Sequence, residues 1–219
     1  MREENVLVTQ NVPSIHYGAA DYFHIQEGNS ESWKAEVMGA SNFVDRWLAE
    51  KDNTILQLIP YVICIDPNGK ILSYQRKGGG EGRLEGKHSI GIGGHINDLD
   101  RVLVEDTDDI TWDTVHAGAV REVNEELELE TSYIDANLKE IGTIYVPSDD
   151  GGDEAGPDPK VGEVHLGIVY VLPIPENVVI RDGEGMIKPK YVVRPKNLAK
   201  YEKWSQFILR DLDNVRKLC

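Results

Sequence analysis

The stretch "REVNEELELE", residues 121–130, decides how the rest of the chain is read. At roughly 100° per residue, Glu122, Glu125 and Glu126 fall on one arc of a helix. Val115, Ala119, Val120, Val123 and Leu127 fall on the neighbouring arc and form the stripe expected to be buried. Carboxylates three and four positions apart repel, each pair costing about 0.2–0.5 kcal/mol of helix stability. Such a trio is either a solvated face or the seat of a cation.

Upstream of the helix, Gly91, Gly93 and Gly94 interrupt the apolar, strand-like run "SIGIGGHI". Glycine weakens a strand, so close backbone approach to a ligand or a neighbouring element is expected there. The glycines at 78–82 read as a flexible loop. A P-loop would need glycine where Glu81 stands and Ser or Thr where His88 stands, and a dinucleotide fingerprint would need a small residue at Glu85.

Farther out, "SESWKAEVMGASNFVDRWLAEK" reads as one helix, with Ser30 or Ser32 as its N-cap and Trp33, Val37, Trp47 and Leu48 at core spacing. Residues 1–25 read as short extended pieces around Pro13. "TILQLIPYVICIDPNGKILSYQRKG" reads as a hairpin turning at Asp66-Pro67-Asn68-Gly69. "KEIGTIYVP" and "EVHLGIVYVLPI" give two more strands, separated by a polar loop carrying Asp149, Asp150, Asp153, Glu154 and Asp158. "NLAKYEKWSQFILRDLDNVRKL" closes the chain as one helix, with Leu198, Tyr201, Trp204, Ile208 and Leu212 inward. The pattern lacks strict βαβ alternation and predicts a mixed sheet flanked by helices.

The 219 residues, 40% of them hydrophobic, suit a single globular domain. The formal charge of -15 argues against a nucleic-acid backbone as partner, though not against anionic small molecules held through divalent cations. No run approaches the length of a membrane span, and the N-terminus lacks a signal-peptide core, so the cytoplasm is the expected location. With only Cys64 and Cys219, the chain is not expected to carry a disulfide framework, and Cys64 reads as a buried small hydrophobe. No two histidines show metalloprotease spacing, so His95 and His165 read as structural hydrogen-bonding residues near the site.

Taken together, Arg121, Glu122, Val123, Asn124, Glu125, Glu126, Leu127 and Leu129, preceded by Gly93-Gly94, resemble the second half of the Nudix motif. The resemblance spans about residues 58–212, and phrases such as "QLIPYV", "SIGIGGHI" and "EVHLGIVYVL" are similar to a MutT-like phosphoesterase subgroup. It implies a Nudix-like α/β/α sandwich with a mixed sheet: residues 1–57 as an N-terminal extension packed on a domain of residues 58–219. It also implies metal-dependent hydrolysis of a diphosphate linkage in a small molecule, nucleoside-linked substrates included. Glu122, Glu125 and Glu126 would ligate Mg²⁺ or Mn²⁺, with Arg121 orienting Glu125 and Gly93, Gly94 and His95 bordering the substrate.

Three positions depart from the family pattern. Asp113 stands at a glutamate position, where it is expected to cap the helix, and Glu128 replaces the closing glycine, so the helix is expected to run on. An insertion over residues 95–112, rich in Asp98, Asp100, Glu105, Asp106, Asp108 and Asp109, separates Gly94 from the helix. It is expected to wall the substrate pocket or to make a homodimer contact, with a tolerated surface loop as the alternative. Glu163, at the head of the last strand, is the expected water-activating base. Two rival readings stay open: an isomerase of the isopentenyl diphosphate type, for which Cys64 is a poor catalytic cysteine, and a ligand-binding module that has lost turnover.

Overall fold

The computed structural model describes residues 4–10, 21–25, 30–77, 84–105, 107–149, 159–176, 178–181 and 186–219. Residues 11–20 around Pro13, the glycines at 78–82, and Asp106, Asp150, Asp153, Glu154 and Asp158 lie outside them, while the extended pieces expected on either side of Pro13 are strands. The chain begins with β1 (Asn5–Gln10), β2 (Tyr22–Ile25), α1 (Glu31–Gly39), β3 (Ser41–Asp45) and α2 (Arg46–Ala49). Next come β4 (Ile55–Ile65), β5 (Ile71–Arg76), β6 (His88–Ser89), β7 (Gly91–Ile92), α3 (Asp113–Glu126) and α4 (Thr131–Asn137). β8 (Lys139–Tyr145), β9 (His165–Pro173), β10 (Met186–Val192), α5 (Lys203–Arg210) and α6 (Leu212–Lys217) complete the order.

All of the described strands join one mixed sheet, with β10-β5-β4-β9-β8-β2 as its main path and β1, β3, β6 and β7 attached beside it. Its centre is the parallel pair β4 and β9, in register from Gln57↔His165 to Ile65↔Pro173. Both faces of that pair are covered, which is why "ILQLIPYVICI" and "HLGIVYVL" are nearly unbroken apolar runs rather than alternating ones. On one face Leu56, Leu58, Val62, Leu166 and Ile168 pack with Val115, Ala119, Val123 and Leu127 around α3. On the other, Ile63, Ile65, Val169 and Val171 pack with Ile208, Leu209, Leu212 and Val215 of α5 and α6. Even and odd positions of the strands thus serve different helix layers, the period of two expected of a sandwich. The α/β/α architecture is the one the motif implies.

The β4–β5 turn follows its sequence chemistry. Asp66 Oδ1 accepts the backbone N–H of Asn68 and of Lys70, each at 2.8 Å, and Gly69 supplies the positive φ of 71°.

Several boundaries differ from the sequence reading. The helix expected from Ser30 onward is capped by Ser30, whose Oγ accepts from Trp33 N, but it ends at Gly39. Ser41–Asp45 then pairs with β1 as a strand, because Phe43 and Val44 favour a pleated, half-buried surface over a helix. With the helical phase broken, Trp47 and Leu48 are not core residues and are more than half exposed. The C-terminal helix likewise breaks at Asp211 into α5 and α6, after a 3₁₀ turn at Leu198–Lys200. The expected boundary at 57/58 falls inside β4, whose first residues pair with β1. No helix among the described residues is long and apolar enough to cross a membrane.

Candidate active site

Helix α3 carries the acidic trio on the rim of its buried stripe. It has no side-chain cap: Trp112 occupies the N-cap position, and Asp113 is the exposed first residue of the helix, not a cap. At the other end the helix does not run on past Glu128. Leu127 is already extended (φ −120°, ψ 145°) and bridges to Ile180, while Glu128 N–H reaches Val179 O at 3.0 Å. Arg181 satisfies two of the last carbonyls, its backbone N–H on Glu126 O at 2.8 Å and its Nε on Leu127 O at 3.3 Å. A strand-like segment from elsewhere in the chain thus performs the termination that a left-handed glycine would perform.

Arg121 is the hub of the site. Its Nε and Nη2 clamp both oxygens of Asp100 at 2.8 and 2.9 Å, a bidentate pair. Nη2 also donates to His95 O at 2.9 Å, and Nη1 donates to Glu122 Oε1 at 2.8 Å and Glu125 Oε1 at 3.1 Å. One guanidinium therefore ties the insertion, the glycine segment and two helix carboxylates together. Asp100 is buried, ends a 3₁₀ turn at Asp98–Asp100, and accepts Asn97 N–H through the same Oδ2 that meets Arg121.

The two adjacent glycines answer different demands. A Cβ on Gly94 would lie 2.5 Å from Glu122 Oε1, so the bare backbone leaves the room that the carboxylate occupies. A Cβ on Gly93 would lie 2.1 Å from Pro60 O, so that glycine is required by backbone packing against β4. Gly118 of α3 opens similar space toward Ile96 and Asp100.

The electrostatics are uneven along the trio. Burial pushes the Glu122 carboxyl up to about 7, against the opposing pull of Arg121. Burial, then repulsion from Glu125, also raises Glu126, whose Oε2 is buried without a hydrogen-bond partner. Glu125 is exposed. The site has more negative charge than Arg121 neutralises, and its free donor atoms are carboxylate oxygens, the set that suits a hard divalent cation.

Other expected residues stand elsewhere. Glu163 lies in a 3₁₀ turn (Val161–Glu163) rather than in the strand, with Oε2 accepting Lys160 N–H at 2.9 Å, and it is outside the Arg121 network. His95 gives that network its carbonyl, while its ring turns to His165, with centroids 5.6 Å apart. Cys64 is fully buried in the core and its thiol is pushed up to about 12 by burial, which removes it as the cysteine an isomerase would need. Sequence reasoning missed Asp100 and Arg181. Asp100 is one of many acids in its segment, and only the asparagine three residues before it, forming a capping box, hinted that it was ordered.

No family model matches the chain. It is 29% identical over 192 residues to "Protein YmaB" of Bacillus subtilis (strain 168), covering 82% of each chain. The crystal structure of "Tm1382, a putative Nudix hydrolase" superposes with a TM-score of 0.65 at 22% identity, covering 97% of this chain and 100% of that one.

Proposed function

From a chain with the Nudix fold and an arginine-clamped acidic helix, we propose hydrolysis of a diphosphate linkage in a small molecule, dependent on Mg²⁺ or Mn²⁺. The observation that carries the reading is the Arg121 hub, which holds Glu122 and Glu125 together beside the buried, bare Oε2 of Glu126. In this reading Glu122, Glu125 and Glu126 hold the cation. When bound, the cation polarises a phosphoryl oxygen and lowers the pKa of a water. Arg121 fixes the carboxylates so that little reorganisation is needed on binding. Gly93, Gly94 and His95 form the substrate-side backbone, and the room above Gly94 keeps Glu122 against it.

Glu163 is the proposed base for the attacking water. One of its oxygens is occupied by the Lys160 N–H, leaving the other to accept a proton. Glu163→Gln should then lower turnover strongly with metal affinity nearly intact, and unchanged turnover would return the role to the helix carboxylates.

Incubation with a panel of nucleoside and non-nucleoside diphosphates, with Mg²⁺ and with chelator, tests the activity. We expect metal-dependent cleavage of at least one linkage into two phosphate-terminated products. Binding without cleavage across the panel would favour a ligand-binding module, and isomerised, uncleaved product would favour an isomerase. The proposed setting is cytoplasmic, with neither nucleic acid nor membrane as partner.

A further inference from the structure

A second cluster of metal-ligating atoms is built from Glu50, His95 and His165. Glu50 closes α2, His95 follows Gly94, and His165 opens β9. One ligand atom from each lies within 4.8 Å of the others. Strand alternation turns the His165 side chain away from the α3 face, while His95 meets the Arg121 hub through its carbonyl. Gln57 and His165 are Cα partners of odd parity, whereas the even-numbered Leu56, Leu58 and Leu166 pack toward α3.

We infer that Glu50, His95 and His165 form a binding site for a divalent transition metal, separate from the carboxylates of the helix. His95 Nε2 and His165 Nε2 stand 3.7 and 4.0 Å from the same Glu50 Oε1. Those gaps are too long for direct hydrogen bonds. Ligand atoms about 2.0–2.2 Å from a shared ion stand roughly 3–3.6 Å apart, so a closure on the order of 1 Å assembles the site. His165 Nδ1 lies 2.7 Å from Val161 O, and since a carbonyl only accepts, Nδ1 carries the proton. The arrangement orients the ring and aims Nε2 toward Glu50, the usual support of a metal-bound imidazole.

Two neighbouring groups point the same way. His95 Nε2 is buried without a hydrogen-bond partner. Gln57, which shares a sheet face with His165, is fully buried with neither amide atom hydrogen-bonded, which calls for a polar occupant beside it. Arg46 competes for Glu50 from 3.9 Å away from its Oε1, but the Arg46 Nη1 is engaged by Glu4 at 2.8 Å. Two imidazoles and one carboxylate select Zn²⁺, Fe²⁺ or Co²⁺ over Mg²⁺.

The test uses the full chain, stripped with chelator and returned to buffer with excess Mg²⁺ to satisfy oxygen-only sites. Zn²⁺ titrated by calorimetry should bind as a single tight equivalent, and Co²⁺ should give visible absorption bands of a nitrogen-ligated site. His95→Gln and Glu50→Gln, chosen because His165 is buried at a strand head, should each weaken Zn²⁺ more than about 10-fold with an unchanged circular dichroism spectrum. Glu125→Gln should leave the Zn²⁺ isotherm as it is. No Zn²⁺ binding in excess Mg²⁺, as expected if only water bridges the three side chains, overturns the inference. Zn²⁺ binding indifferent to both substitutions overturns it as well. Neither result bears on diphosphate hydrolysis, which the inference does not require.

Discussion

At the scale of single residues, the adjacent glycines make separable predictions. Gly93→Ala forces Cβ onto a backbone carbonyl of β4 and should cost about 1–3 kcal/mol of stability, read as a lowered denaturation midpoint. Gly94→Ala meets only the end of the Glu122 side chain, so the fold should hold while metal affinity falls. Equal stability losses for the two would show that the site's geometry is not what Gly94 protects. Glu122 adds a pH signature. Its carboxyl titrates near 4.5 when unfolded and about 7 when folded, so the metal-free fold binds the proton more tightly than the unfolded chain does. Stability contributed by protonated Glu122 is therefore full below about 4.5 and lost as pH rises through about 7, on the order of 3 kcal/mol in total. Urea melts in chelator at pH 5 and pH 8 should show this loss in wild type and not in Glu122→Gln; parallel melts would contradict it. The trio itself was legible because its spacing is a local property of the helix. Asp100 was not, since a buried acid is distinguished from its solvated neighbours only by the partner that folding brings to it.

At the scale of elements, the insertion does two jobs. Asp100 holds Arg121, and Asp98, Arg101 and 108–112, with α1 and β3, line a groove of about 800 Å³. Trp112 is about 15 Å along the helix axis from Glu122, while Asp98 and Arg101 bring the other end of the groove next to Asp100, the partner of Arg121. Asp100→Asn should loosen the hub, costing about 2–3 kcal/mol and weakening metal binding by way of Glu122 and Glu125. A stable variant with unchanged metal affinity would mean that the hub is decorative. The partly exposed Leu103 and Val104 lie between Arg101 and Asp108, and shortening the segment around them should alter substrate preference or oligomeric state. The sequence-based helix boundaries failed where tertiary partners intervened: β1 drew Ser41–Asp45 into a strand, and Val179 and Arg181 stopped α3 without a glycine. Periodicity carries information about one element's own face, and none about the neighbour that ends it.

At the scale of the whole molecule, the N-terminal residues are part of the sheet. Val6, Leu7 and Val8 are fully buried, and Leu7 N–H holds Ile96 O at 2.9 Å, next to the glycine segment. Burying three such side chains is worth about 5–8 kcal/mol, comparable with the entire stability of a domain. A chain lacking residues 1–10 should lose its cooperative melt, and an unchanged melt would show that the strand is an accessory. The mixed sheet was legible in the chain because β4 and β9 are apolar throughout. The Glu50–His95–His165 cluster was not, because its members are scattered over 116 positions and meet through the end of α2, the β7–β4 pairing and the β4–β9 register. The central claim remains the cation seat on α3, and turnover of a cleaved diphosphate at limiting Mg²⁺ tests it most directly, in wild type and in Glu125→Gln. Because Glu125 is exposed, its substitution spares the fold, and the predicted result is a loss of at least about 100-fold with an unchanged melting curve. A wild-type rate in Glu125→Gln at limiting metal would contradict the account.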